Sequence, residues 1–331
     1  MTRYARQTCL PQVGERGQSA LLAAHVLVVG AGGLGAPVLQ YLVGAGVGRL
    51  TVVDGDVVAR SNLHRQTLFR ETDIGAPKAK VAAKTLRALN TGCVIDIVEA
   101  PLDPANAAEL IAPSTLVLDC ADSFAVSYIL SDHCKALGIP LISASCLGFT
   151  GYVGGFCGTA PSLRAVFPDL PDRAATCATA GVMGPVVGMI GAAQAQMALA
   201  YLVGQRPSPL GQLIQFDMIN FRSSGFRFDT APDPTPDFVF IAQAQIHPTD
   251  FVIELRNIDE AASQVAQQAQ RLSVAEFTMQ NPSPTDSQRA VFACKSGLRA
   301  WQAATHLRSY WGGDITLIAM GDPAPVTHRK H

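Results

Sequence analysis

His25-Val26-Leu27-Val28-Val29-Gly30-Ala31-Gly32-Gly33-Leu34-Gly35 is the stretch from which the rest of the chain can be read. A short apolar run, extended by its β-branched valines, breaks into glycines at positions 30, 32, 33 and 35. A helical pattern follows over residues 36–45, and a second strand-like run, Leu50-Thr51-Val52-Val53, ends in Asp54. Strand, glycine turn, helix, strand and acid form the βαβ nucleotide fingerprint. Glycines let backbone approach a phosphate, and the helix N-terminus adds unpaired N–H groups and positive dipole. The acid accepts hydrogen bonds from a ribose. Gly30, Gly32, Gly33, Gly35 and Asp54 are therefore candidate nucleotide-binding residues. The fingerprint does not name the nucleotide, and by itself it fits a nicotinamide-dependent oxidoreductase.

Outward from this unit, strand-like runs recur at 95–98, 116–118 and 140–143, with helical patterns at 78–89, 105–111 and 124–137. The alternation predicts an α/β fold, a Rossmann-like mostly parallel sheet with helices on both faces. Three prolines between Ala231 and Asp237 continue neither a helix nor a central strand. The expected division is a nucleotide-binding domain over 1–230, a proline-rich linker over 231–248 and a small C-terminal α/β domain over 249–331. In the last, strands are expected at 251–255, 290–293 and 315–318, and a helix at 298–311.

The chain has 331 residues, 48% hydrophobic and 15% charged, enough to bury a sizeable core. A net charge of -1 carries no general basic footprint for nucleic acid. The N-terminal Met1-Thr2-Arg3-Tyr4-Ala5-Arg6 lacks the apolar core of a signal peptide. Eight cysteines occur without a Cys-x-x-Cys pair, which gives no disulfide framework or four-cysteine zinc site. These features predict a reduced, cytoplasmic, globular protein. Residues 174–205 carry no charge, long enough for a membrane span. Gly184-Pro185, Gln194 and Gln196 favour instead a buried or interface helix over 186–203, with no membrane partner.

Past Asp54 the pattern departs from a dehydrogenase. Ser61-Asn62-Leu63-His64-Arg65-Gln66 follows, Gly75-Ala76-Pro77-Lys78 opens a helix, and Asp119-Cys120-Ala121-Asp122-Ser123 follows a strand. Arg65 and Lys78 suit charge neutralisation on a polyphosphate, and Asp122 suits a magnesium ion. Taken singly, each also reads as a surface charge or a helix cap. The set points to ATP with Mg2+ in place of a nicotinamide ring.

With Arg3-Tyr4-x-Arg6-Gln7 and the run from Thr176 to Gly188, these motifs resemble the ThiF/MoeB/HesA family of ubiquitin-activating-enzyme-like adenylyltransferases, over about residues 3–225. The resemblance implies activation of the C-terminal Gly-Gly carboxylate of a ubiquitin-like sulfur carrier protein, giving an acyl-adenylate and pyrophosphate. It implies that Gly33, Asp54, Ser61, Asn62, Arg65, Lys78 and Asp122 contact ATP or its magnesium, with Ser123 beside them. Arg6 would reach the phosphates from the other subunit of a homodimer. Cys177 stands where some relatives form a covalent link to the carrier, and an inert buried cysteine is the competing reading. Pro140–Ser145 and Gly148-Phe149 favour the thiamine (thiazole) carrier over the molybdopterin carrier. A carrier-binding scaffold without catalysis stays open as a third class beside the oxidoreductase.

Many such enzymes hold zinc through two Cys-x-x-Cys pairs. Here Ser162 and Ala165 occupy the first pair's place and the second pair is absent, so no zinc is expected. The C-terminal unit resembles a rhodanese (sulfurtransferase) domain. Phe251-Val252-Ile253-Glu254-Leu255-Arg256 is similar to its first strand, and Cys294-Lys295-Ser296-Gly297-Leu298-Arg299 to its active loop. A thiolate there, at a helix N-terminus beside Lys295 and Arg299, is expected to have a lowered pKa and to carry a persulfide. The resemblance implies a cysteine desulfurase or another sulfur donor as partner; decay to a structural cap is the competing reading.

Overall fold

The computed structural model describes residues 3–170 and 181–321, which divide into two compact units. Cys177 lies outside the described residues, as does most of the segment between Asp169 and Gly181.

The larger unit is built on an eight-stranded sheet in the order β3-β2-β1-β4-β5-β6-β7-β8. Its strands are β1 (His25–Val29), β2 (Arg49–Val53), β3 (Val94–Val98), β4 (Leu116–Asp119), β5 (Pro140–Leu147), β6 (Thr150–Cys157), β7 (Gln212–Asp217) and β8 (Arg222–Arg227). β3 through β5 pair in parallel, and β6, β7 and β8 add antiparallel strands at one edge. Val26 to Val29 are buried because helices cover a parallel sheet on both faces. The chain order reverses between β1 and β4, which opens a crevice at their carboxyl ends.

Helices in this unit are α1 (Ala5–Thr8), α2 (Gly14–Ala23), α3 (Gly35–Ala45), α4 (Lys78–Leu89), α5 (Ala107–Ile111), α6 (Phe124–Leu137) and α7 (Gly184–Leu202). α3 packs on α4 and α7, whereas α5 packs on α6. α3 stops at Gly46, whose φ of 86° lets its N–H reach back to Leu42 and Val43. α7 is long and apolar enough to cross a membrane, yet Val186, Val187, Ile190, Ala195 and Ala198 are buried in this unit's core.

The three antiparallel strands escape the periodicity argument for a physical reason. β6 carries Gly151, Gly154 and Gly155, and β8 is exposed along its whole length. Neither has the apolar alternation of a half-buried strand.

Where a zinc-binding cysteine pair is missing, hydrogen bonds and ion pairs hold the segment. Ser162 N–H donates to Asp233 at 2.6 Å, and Leu163 N–H to the Ser131 hydroxyl at 3.0 Å. Arg164 forks onto Asp132 at 2.7 and 2.8 Å and lies over the Tyr128 ring. Phe167 stacks on Tyr152 at 4.9 Å.

The smaller unit has a five-stranded all-parallel sheet in the order β11-β10-β12-β13-β9. These strands are β9 (Val239–Phe240), β10 (Phe251–Glu254), β11 (Gln270–Arg271), β12 (Ala290–Cys294) and β13 (Ile315–Ala319), with helices α8 (Val274–Gln280) and α9 (Leu298–Arg308). Within the 231–248 stretch expected as a linker, residues from Thr235 onward cluster with this unit and β9 forms its edge. The last helix ends at Arg308, so Trp311 lies beyond it. Trp301 packs edge-on against Phe238 at 5.1 Å.

Candidate functional site

A cleft of about 260 Å³ opens at the carboxyl ends of β1, β2 and β4, where the strand order reverses. Its lining brings together Gly30, Gly32, Gly33, Asp54, Arg65, Lys78, Asp122 and Ser123. These residues come from three separate segments, those that follow β1, β2 and β4, so the fold alone assembles them. A larger groove of about 580 Å³ on β6–β8 carries none of them.

The glycine turn is shaped by contact with its neighbours. Gly30 has φ 96°, and a Cβ there would stand 2.6 Å from the Cys120 carbonyl oxygen. Gly35 is tighter, 2.0 Å from the Gly30 carbonyl oxygen, and it does not line the cleft. Its role is to let α3 start close under the turn, leaving the helix N-terminus facing the cleft.

Asp54 accepts the Ala31 N–H at 2.7 Å on one oxygen and the Asp56 N–H at 2.9 Å on the other. Each oxygen keeps a lone pair for a ribose hydroxyl. Burial raises this carboxyl above its ordinary range, against the opposing pull of Lys78 and the two N–H groups.

The cations have different settings. Lys78 opens α4; its side chain is 7% exposed and pairs with Asp56 at 2.8 Å. Arg65 is half-buried, with Nη1 on the Ser61 carbonyl at 3.3 Å and the His64 ring at 2.7 Å. Its Nε and Nη2 make no hydrogen bond among the described residues and remain available to an anion. Asp122 is exposed at the mouth, its carboxylate free of hydrogen bonds and ion pairs among the described residues. One free carboxylate beside a phosphate site fits magnesium, which takes one or two carboxylates and completes its shell with phosphates and water.

Under the floor lies Asp119, fully buried, with its carboxylate accepting from Ser143 at 2.8 Å and from the Ala121 N–H at 3.2 Å. Burial pushes it up to about 6 despite these bonds. Gln194 of α7 ties the Asp119 and Ile142 carbonyls together at 2.7 and 3.0 Å. Asp56 and Gln66 also line the cleft and were not among the expected site residues. Asp56 had a signal, a second acid two residues after the first; the Gln66 side-chain amide oxygen is buried with no hydrogen-bond partner among the described residues.

Ser61 and Asn62 stand on a single 3-10 turn beside the cleft without lining it. Arg6 is exposed on α1 and is not part of the lining formed by its own chain.

In the smaller unit, Cys294 ends β12, and Gly297 at φ 87° turns the chain into α9. The buried sulfur accepts N–H bonds from Gly297 at 3.1 Å and Ala300 at 3.3 Å. The thiol does not have the lowered pKa expected from its loop. Burial raises it, outweighing the N–H groups and Arg299. Both nearby arginines are also engaged: Arg299 pairs with Glu260 through two 2.7 Å bonds, and Arg256 with Glu254 at 2.8 and 2.6 Å.

The chain is 40% identical over 235 residues to the SAMP-activating enzyme E1 of Haloferax volcanii, covering 70% of this chain and 87% of that one. It is 43% identical over 227 residues to the sulfur carrier protein adenylyltransferase of Thermus thermophilus, covering 66% and 84%. It is 40% identical over 249 residues to the adenylyltransferase and sulfurtransferase MOCS3 of Xenopus laevis, covering 73% of this chain and 55% of that protein, so it matches about half of that relative's length. The crystal structure of E. coli MccB with ATP has the same fold, with a TM-score of 0.62 at 19% identity over 71% of this chain and 74% of that one. The ThiF family matches residues 4–236, which contain the whole cleft, and the chain belongs to that family.

Proposed function

We propose that the chain adenylylates the C-terminal glycine carboxylate of a ubiquitin-like sulfur carrier at the expense of ATP. The observation that carries this reading is the convergence of Asp54, Arg65, Lys78 and Asp122 on one cleft beside the α3 N-terminus. A carboxylate oxygen attacks the α-phosphorus, and the bond from that phosphorus to the bridging oxygen breaks, so pyrophosphate leaves with the electron pair. Both partners are anions, so catalysis rests on alignment and charge neutralisation. Asp54 fixes the ribose, the glycine turn receives the phosphates, and Arg65 and Lys78 spread the charge that develops. Magnesium on Asp122 would supply further neutralisation of the phosphates. A hydride-transfer reading has no use for Arg65 and Lys78 in this position. Arg6 would complete the site from a second subunit of a homodimer. Among carriers, the thiamine one is favoured by the motifs at 140–149, with the molybdopterin carrier the alternative.

A second activity is supported by the N–H cradle around Cys294. In this reading, Cys294 accepts a sulfur atom from a persulfide on a cysteine desulfurase or similar donor, leaving the donor's thiolate. The cytoplasm, with its reduced thiols, is the proposed compartment.

Pyrophosphate–ATP exchange tests the first reading, with thiamine and molybdopterin carriers each supplied intact and without the terminal Gly-Gly. Exchange with one intact carrier, lost on tail removal and reduced about 100-fold or more in Lys78→Ala, supports it. Binding of ATP without exchange on any carrier supports a scaffold instead, and failure to bind ATP overturns the reading.

A further inference from the structure

We propose that Asp56 is a positioning residue that holds Lys78 in the attitude needed to meet the phosphates; the inference rests on the adenylyltransferase reading. Three observations converge on it.

The first is the asymmetry of the ion pair. Lys78 has a side chain 7% exposed, whereas Asp56 is 73% exposed, and the two meet at 2.8 Å. A buried ammonium needs a counter-charge and hydrogen-bond acceptors. Among the described residues, the Asp56 carboxylate is its one side-chain acceptor. An ammonium has three N–H donors, so one is committed to Asp56 and two remain for phosphate oxygens.

The second is that the backbone fixes the same pair. Lys78 N–H donates to the Asp56 carbonyl at 2.9 Å, while Val58 N–H donates to the Ala76 carbonyl and Gly75 N–H to the Val58 carbonyl, zipping the 56–58 segment to the 75–78 segment. The carboxylate and the ammonium are therefore held from both ends.

The third is the link to the rest of the cleft. Asp56 N–H donates to Asp54, and the other Asp54 oxygen accepts from Ala31 in the glycine turn. The single turn at 54–56 thus joins the ribose acid, the glycine turn and the phosphate lysine. Its side chains fix the spacing between the two ends of a bound nucleotide. Arg65 and Asp122 line the same cleft, and among the described residues neither pairs with Lys78.

A lysine loosened from Asp56 retains its charge and loses its aim. Misplacing a charge-stabilising group by about 1 Å costs up to about 100-fold in rate. Asp56→Ala should therefore lower kcat of pyrophosphate exchange by about 10-fold to 100-fold, while KM for ATP changes by less than about 3-fold. Asp56→Asn, which keeps an acceptor and loses the charge, should fall between, and Asp56→Glu should recover most of the rate. The double variant Asp56→Ala/Lys78→Ala should be no slower than Lys78→Ala alone, because the two act as one unit. A merely structural role for Asp56 would make the double variant slower than either single one and would not be rescued by glutamate.

ATP binding by calorimetry on the full-length chain without carrier separates the two levels of the argument. If wild type binds no ATP, the adenylyltransferase reading fails and takes this proposal with it. If wild type binds ATP and catalyses exchange while Asp56→Ala matches its kcat, the proposal fails and the reading stands. Asp56→Asn melting at the wild-type temperature keeps the comparison valid where alanine disturbs the fold.

Discussion

The Asp233 carboxylate lies 2.5 Å from the Lys135 ammonium, and its other oxygen receives the Ser162 N–H. Ser162 stands where family members that bind zinc through Cys-x-x-Cys pairs would carry a cysteine. Burial works to raise the Asp233 carboxyl, but Lys135 and Ser162 together hold it below the usual range. A depressed carboxyl stabilises the fold fully above its unfolded pKa of about 3.9 and loses that contribution as pH falls through the lower folded value. The pair is partly exposed, so Asp233→Asn should cost about 1–2 kcal/mol at pH 7, mostly through the hydrogen bonds. Urea unfolding at pH 7 and pH 3 should show the difference between wild type and variant shrinking in acid. The same samples should melt unchanged after dialysis against a chelator and contain no stoichiometric zinc by elemental analysis.

Asp119 should respond to pH in the opposite sense. Its folded pKa of about 6 exceeds that of an unfolded aspartate, so the folded state holds the extra proton between about 4 and 6. Stability contributed by this group therefore falls as pH rises through that window. Asp119→Asn keeps an acceptor for the Ala121 N–H and carries no charge. Relative to wild type, it should gain on the order of 2 kcal/mol between pH 4 and pH 7. Chemical unfolding at both pH values measures this; an unchanged difference would mean that Asp119 is not buried as a lone carboxylate.

The parallel half of the sheet was legible because β1, β2 and β4 are buried runs punctuated by glycine and acid, and each crossover helix has its own periodicity. Strand ends agreed to within a few residues. β6 and β8 were not legible, since glycines and exposed polar residues carry no period of two. The site divides the same way. Asp54, Arg65, Lys78 and Asp122 each sit in a short local motif, and all four line the cleft. Asp119 and Gln194 were not read as a network, because their partnership depends on strand neighbours that only the fold supplies. For Cys294, loop composition indicated a helix N-terminus and two nearby cations. It could not convey that burial would outweigh them, since burial belongs to the packed sheet.

The two units should separate in a variant of Cys294. Cys294→Ser removes the sulfur nucleophile in the smaller unit while leaving the nucleotide cleft intact. Sulfur transfer to cyanide from a small persulfide donor should vanish, and pyrophosphate exchange should stay within about 2-fold of wild type. Because burial raises the thiol, its alkylation should be slower than that of a free cysteine and still climbing at pH 9. Mass spectrometry of the labelled peptide across pH 7 to 10 reads this directly. Rapid alkylation at pH 7 would mean that the loop opens and frees the thiolate in solution.

The glycine turn offers a test that separates packing from binding. A Cβ on Gly35 would meet the Gly30 carbonyl oxygen at 2.0 Å, backbone against backbone, with nothing to yield. On Gly33, the same Cβ would meet Val187 Cγ1 at 2.7 Å, a side chain that can be shortened. Overpacking of this kind costs about 1–3 kcal/mol. Gly35→Ala should fall at the top of that range or fail to fold, whatever accompanies it. Gly33→Ala should lose stability and ATP affinity together. Adding Val187→Ala should restore part of the stability, so that the double variant loses less than the sum of the single ones. Thermal unfolding gives the coupling and calorimetry gives the affinity. Additive losses would mean that α7 does not press on the turn at Gly33. Recovered stability without recovered affinity would assign Gly33 to close approach of the phosphate itself.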